Sequence, residues 1–127
     1  MSGFPTSNYA DVVTQAEAYW HKASTLFGVP YHTDVSMGWD PSPRTCQSDC
    51  YEKTVYPFTP ILKGNDPQAF RDALVRAKAH MDSLHEVPKI LTINSWNEWT
   101  EGSHLEPESL YGMGYLDAIR SIFSSDM

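Results

Sequence analysis

An α/β architecture with about two parallel strands and three helices is predicted for this chain, on three observations. Helical and extended periodicities alternate, in the order helix, strand, long loop, helix, strand, long loop, helix. Both long loops follow strands, and both helix-to-strand connections are short. Carboxylates and indoles crowd together where a hydrophobic strand runs out. Such alternation implies crossovers and parallel strands. The loop asymmetry fits either a barrel or an open α/β sheet with one functional rim.

Residues 8 to 27 place Val12, Val13, Ala16, Trp20, Ala23 and Phe27 on one helical stripe. Ser7 or Asn8 can cap its start, and Gly28 followed by Pro30 ends it. A strand is predicted within PYHTDVSM, residues 30 to 37. Tyr31, Thr33, Val35 and Met37 lie on one face, and His32, Asp34 and Ser36 on the other. Residues 38 to 65 read as one long irregular loop, whose Trp39, Tyr51, Tyr56 and Phe58 argue against disorder. Asp66 and Pro67 then open a helix to about residue 85, with Asp at the N-cap and Pro at the first helical position. Its stripe is Phe70, Leu74, Ala77, Met81 and Leu84. KILTINSW, residues 89 to 96, is the second strand, predicted to lie parallel to the first. The last helix runs from about Gly114 to Phe123, with Leu116, Ile119 and Phe123 on one side.

Hydrophobic residues make up 41% of the 127, which is a globular composition. A net charge of −7 argues against nucleic acid or an anionic membrane surface as partner. No apolar run approaches the ~20 residues of a membrane span. The segment MSGFPTSNYADVV lacks the basic and apolar regions of a signal peptide. Cys46 and Cys50 read as two loop thiols, with a short-range disulfide as the alternative. Neither a metal site nor a cofactor is expected: four glutamates and His104 form no regular ligand pattern.

The informative stretch is INSWNEWTEGSHLEPE, residues 93 to 108. Strand alternation puts Ile90, Thr92, Asn94 and Trp96 on one face, and Glu98 just past the strand end. If the chain turns after Trp96 or Asn97, Glu98 and Glu101 converge on one pocket, and Gly102 helps that turn. Glycosidic bond cleavage needs such a pair, one carboxyl held protonated for the leaving oxygen and the other ionised. Trp96 and Trp99 offer flat surfaces for a sugar face. Asn94 and Asn97 can donate to and accept from hydroxyls. Glu106 and Glu108 read as solvated loop charges.

GWDPSPR (38 to 44), INSWNEWTEGSHLEPE (93 to 108) and YGMGYLDAIR (111 to 120) resemble the C-terminal end of the WbsX-type family. Those proteins share a domain with glycoside hydrolase family 99, the endo-α-mannosidases. The resemblance spans roughly residues 30 to 122. It implies that residues 1–127 are the C-terminal portion of a (β/α)8 TIM-type barrel. It also implies action on a glycan or oligosaccharide, by hydrolysis or by glycosyl transfer in polysaccharide synthesis. In the hydrolase family the first Glu of NEWxEG is the base and the second the acid; these match Glu98 and Glu101. The base is thought to deprotonate the 2-hydroxyl of the sugar, so that the substrate attacks its own anomeric carbon. The continuation SHLEPE departs from the endo-mannosidase pattern, so mannose specificity is not implied. In the family pattern Trp39, Asp40 and Arg44 border the sugar site.

Elsewhere, His32 reads as a core histidine, and Tyr111 and Tyr115 as anchors of the last helix. His21, His80 and His85 lie on helices, away from the rim, and receive no role. A complete barrel takes about 250 residues, so the chain reads as its last quarter. Two strands with open edges imply self-association of the isolated chain. The rival reading is a non-catalytic carbohydrate-binding or relic fragment that keeps the Glu–Trp rim.

Overall fold

The structure, a computed structural model, describes residues 3–85 and 88–124. Met1 and Ser2, where the segment read for a leader begins, lie outside it. The fold is mixed α/β with three helices and small parallel sheets. In order come β1 (Thr6–Asn8), α1 (Tyr9–Leu26), β2 (Thr33–Ser36), a 3-10 turn (Ser42–Arg44), β3 (Ile61–Lys63) and α2 (Pro67–Asp82). Then follow β4 (Leu91–Asn94), β5 (Asn97–Glu98), a second 3-10 turn (Trp99–Glu101), β6 (Ser103–His104) and α3 (Gly114–Phe123). Among the described residues no helix is long and apolar enough to cross a membrane.

β2 and β4 are the two predicted strands, and they pair in parallel from Thr33↔Leu91 to Ser36↔Asn94. Asp34 therefore sits beside Thr92, and Ser36 beside Asn94, on one polar face. The other face carries Thr33 and Val35, which are buried, and Leu91 and Ile93, which are half-buried. It packs on the helices, with Phe70, Leu74 and Trp20 at the centre of the core. Complete burial of a side chain such as Phe70 contributes about 1.5–3 kcal/mol.

The strand count is higher than the two predicted. β1 and β3 form a second parallel pair, Thr6↔Ile61 to Asn8↔Lys63, separate from the first. Three residues are too few to display alternation, and β3 lies inside the stretch read as a loop. That stretch is ordered by its aromatics. Tyr51 stacks on Phe4 at 5.6 Å and meets Phe58 at 5.5 Å, and its hydroxyl donates to the Thr59 carbonyl at 2.7 Å. Leu62 N–H reaches the Trp39 carbonyl at 2.9 Å, tying the loop's far end to its start.

The first two helices start close to their predicted positions because their N-caps are built locally. Asn8 accepts from Ala10 N–H at 2.8 Å, and Asp66 from Ala69 N–H at 2.8 Å. Two stripes are corrected. Phe27 is exposed, since α1 ends at Leu26 and Phe27 takes extended angles that carry it off the helical face. On α3 the buried side is Tyr115 and Ala118, with Leu116 and Ile119 half-buried and Phe123 exposed. Tyr115 anchors that helix by edge contact with Phe70 at 5.7 Å. His32 is half-buried rather than in the core.

Leu91, Ile93, Met81, Ile119 and Phe123 line an open groove of about 410 Å³ beside β4. Among the described residues, β4 pairs on one edge alone. An uncovered strand edge beside an apolar groove favours association. The isolated chain should therefore sediment as species that grow with concentration. A concentration-independent monomer with a sharp cooperative melt would contradict this.

His80, given no role from sequence, is buried between α1 and α2. Ser24 spends its proton on the Trp20 carbonyl, 2.7 Å away, so at 3.1 Å it accepts from Nε2–H of His80. Among the described residues Nδ1 is left as a buried lone pair without a partner. Burial holds the imidazole below its usual pKa; the nearby His21 adds to this, and Glu17 opposes it. The unfolded chain binds this proton more readily than the folded one, so stability falls as pH drops below about 6.5. Denaturant midpoints measured across that range should decline. His80→Gln, which keeps a donor toward Ser24 without the titration, should flatten the decline; an unchanged slope would clear His80 of it.

Candidate functional site

The site begins where β4 ends. Asn94 Nδ2 donates to Ser103 Oγ at 2.9 Å, and Ser95 Oγ donates to the Ser103 carbonyl at 2.7 Å. These bonds fold residues 97–104 into a hairpin, with Asn97 opposite His104 and Glu98 opposite Ser103. Its tip is the 3-10 turn Trp99–Glu101, closed by Gly102 at φ +58°. A 3-10 turn has about three residues, so positions three apart lie on one side. This is the turn that brings Glu98 and Glu101 together.

The other wall comes from the segment after β2. Asp40 N–H donates to the Glu101 carbonyl at 2.7 Å, which joins the two loops backbone to backbone. The Asp40 carboxylate accepts from Ser42 N–H at 3.0 Å and from Ser42 Oγ at 2.6 Å, and so winds the turn Ser42–Arg44. Arg44 then points across the gap. Its Nη2 lies 3.3 Å from Glu98 Oε2, and its Nε lies 2.9 Å from Thr100 Oγ1 and 3.9 Å from Glu101 Oε2. One guanidinium thus serves both carboxylates. Half-exposed ion pairs add little stability, so the value of this one lies in placement.

The two carboxylates are not equivalent. The Glu98 side chain is 48% exposed and that of Glu101 is 16% exposed. Tyr56 donates its hydroxyl proton to Glu101 Oε2 at 2.6 Å. That bond pushes the Tyr56 phenol pKa up from its ordinary value.

The predicted aromatic walls differ in character. Trp96 and Trp99 are half-exposed at the hairpin. Trp99 stacks on His104 at 3.7 Å and 13°, and its Nε1 donates to Glu106 Oε1 at 3.2 Å, so one indole face is already used. Trp39 is half-buried, with Nε1 donating to Thr59 Oγ1 at 2.9 Å. Asn97 is exposed at the hairpin, whereas the Asn94 amide is engaged with Ser103. Glu106 and Glu108 are not free loop charges: Glu106 holds Trp99, and Glu108 accepts from Tyr111 N–H at 2.8 Å.

The structure joins Glu98 and Glu101 through Arg44, with Asp40 and Asn94 as internal ties of the two loops, while Trp96, Asn97 and Trp99 are exposed along the same hairpin segment. Sequence reasoning missed Tyr56, Thr100, Ser103 and His104 as parts of this site. Tyr56 carries no local signal that separates it from Tyr51; only the fold sends one hydroxyl to a backbone carbonyl and the other to Glu101. Cys46 and Cys50 are both exposed and unbridged. A cavity of about 570 Å³ lies at the opposite end of β2, among Phe27, Gly28, Pro30, Tyr31 and Leu84, with no rim residue in its lining.

The family described as "Glycosyltransferase WbsX" matches residues 4–119. The "Uncharacterized protein WxcX" of two strains of Xanthomonas campestris pv. campestris is 33% identical to the chain over 87 residues. That alignment covers 68% of this chain and 11% of each relative, so the chain spans about a tenth of their length. No solved structure matches it.

Proposed function

Since the chain belongs to the WbsX glycosyltransferase family, we propose that it is the C-terminal part of a (β/α)8-type barrel domain whose rim acts on glycosidic bonds. The observation that carries this reading is the carboxylate pair: Glu98 and Glu101 on one turn past a parallel strand, joined by Arg44. Barrel active sites lie at the C-terminal ends of parallel strands, and both loops that build this rim follow such ends.

In the proposed chemistry Glu98, the more open carboxylate, takes the proton of the sugar's own 2-hydroxyl, whose oxygen bonds to the anomeric carbon. Glu101 gives a proton to the oxygen that leaves as the glycosidic bond breaks. In the later step water or an acceptor hydroxyl bonds to the anomeric carbon and gives its proton to Glu101, while the bond to O2 breaks and that oxygen takes its proton back from Glu98. Trp96 and Trp99 pack a sugar face, and Asn97 meets its hydroxyls. When water ends the cycle the result is hydrolysis; when an acceptor sugar hydroxyl does so, it is glycosyl transfer. A rim open to water favours hydrolysis, whereas the family description points to transfer. The test is to restore the chain to its full-length barrel and supply glycan in oxygen-18 water. Label at the new reducing end marks hydrolysis, and unlabelled elongated product marks transfer.

The exposed indoles favour one rival, a rim that binds carbohydrate without catalysis. Glycan binding that quenches Trp fluorescence, with neither product formed, would establish that rival and end the enzyme reading.

A further inference from the structure

We infer that Tyr56 is the positioning residue for Glu101: it engages one carboxylate oxygen and thereby leaves the other to carry the transferable proton. This deepens the reading of Glu101 as the proton donor and rests on it. The Tyr56–Glu101 bond, at 2.6 Å, spans forty-five residues of sequence and has the length of a hydroxyl donating to a carboxylate. The only proton of a phenol is thereby committed to Oε2. Arg44 Nε approaches the same oxygen at 3.9 Å. Among the described residues both side-chain partners of the carboxyl group thus lie on one oxygen.

The consequence concerns where a proton can sit. Placed on Oε2, it would meet the phenol O–H and a guanidinium, two groups that themselves present hydrogens. Placed on Oε1, it meets neither and is free to reach a leaving oxygen. The loop does not need Tyr56 as an anchor, because Tyr51 already supplies two ring contacts and a bond to the Thr59 carbonyl. Tyr56 makes one tilted ring contact, with Trp39 at 6.3 Å, and its residue is 47% exposed. Its hydroxyl is thus available to the site rather than to the fold.

The test has two arms. In the 127-residue chain, carbon-13 labelling of the tyrosine ζ position follows each phenol by NMR. Tyr56 should titrate above an ordinary tyrosine and return toward it in Glu101→Gln, but not in Glu98→Gln. An ordinary titration in the unaltered chain overturns the geometry. In the restored barrel, Tyr56→Phe should lower kcat about tenfold with KM little changed, the scale of one hydrogen bond. The loss should shrink on an aryl glycoside whose leaving group needs no proton. An equal loss on both substrates, or a change confined to KM, overturns the assignment to the proton-donating arm. If Glu98→Gln and Glu101→Gln both keep turnover, the glycosidic reading itself has failed. If those two lose it and Tyr56→Phe does not, this inference alone falls.

Discussion

Replacing Glu98 or Glu101 with Gln should lower turnover on a glycan by about 10²-fold or more, with glycan binding nearly intact. The amide keeps the shape of the carboxyl group and removes its proton chemistry. Binding should survive because the residues proposed to carry the sugar, Trp96, Trp99 and Asn97, are not hydrogen-bonded to either carboxylate among the described residues. The two losses should not add in the double variant, since acid and base serve one transition state. Leaving-group chemistry separates the roles. An aryl glycoside with a good leaving group should rescue Glu101→Gln, which lacks the proton donor. It should not rescue Glu98→Gln, which lacks the base. Equal rescue of both, or near-normal turnover in either single variant, removes the pair from the mechanism. Steady-state kinetics on the proposed full-length barrel with the two substrate types decides it.

What sequence disclosed here depended on how local each interaction is. The start of α2 was legible because Asp66 and Pro67 act on the next turn, and the Asp66 cap bonds a residue three positions on. β2 and β4 were legible because alternation survives four residues with one face covered. β1 and β3 were not, since each takes its extended form from a partner more than fifty residues away. At the site, the NEWTEG string pointed to two carboxylates and a turn, and the 3-10 periodicity supplied their convergence. Asp40 was expected at the sugar; in the fold one of its carboxylate oxygens accepts from Ser42, a bond common to any Asp two residues before a turn's donor. Tyr56 was invisible because its bond to Glu101 exists only once two separate loops have been folded against each other.

Gly102→Ala should disable the rim and destabilise the chain, while Gly112→Ala should only destabilise it. Both glycines lie at positive φ, +58° and +56°, where an added Cβ costs about 1–2 kcal/mol. They differ in what that Cβ would meet. At Gly112 there is nothing within 4 Å. At Gly102 it would lie 2.8 Å from Asp40 Cβ and 3.0 Å from Asp40 N. Neither atom belongs to a flexible side-chain end, so the backbone of the opposite loop must retreat. That backbone is the one whose N–H donates to the Glu101 carbonyl at 2.7 Å, and Asp40 also winds the turn that carries Arg44. A retreat of Asp40 therefore draws Arg44 away from both carboxylates and loosens Glu101. Displacement of catalytic groups by about 1 Å costs on the order of 10²-fold in rate. Gly102→Ala should thus lose turnover nearly as severely as the Gln variants, together with a larger fall in denaturant midpoint than Gly112→Ala shows. Unfolding curves for the two alanine variants, paired with kcat in the proposed full-length barrel, supply the comparison. Were the two to fall equally in stability, with turnover kept in both, the close approach of Gly102 to Asp40 would not be what locks the two walls together.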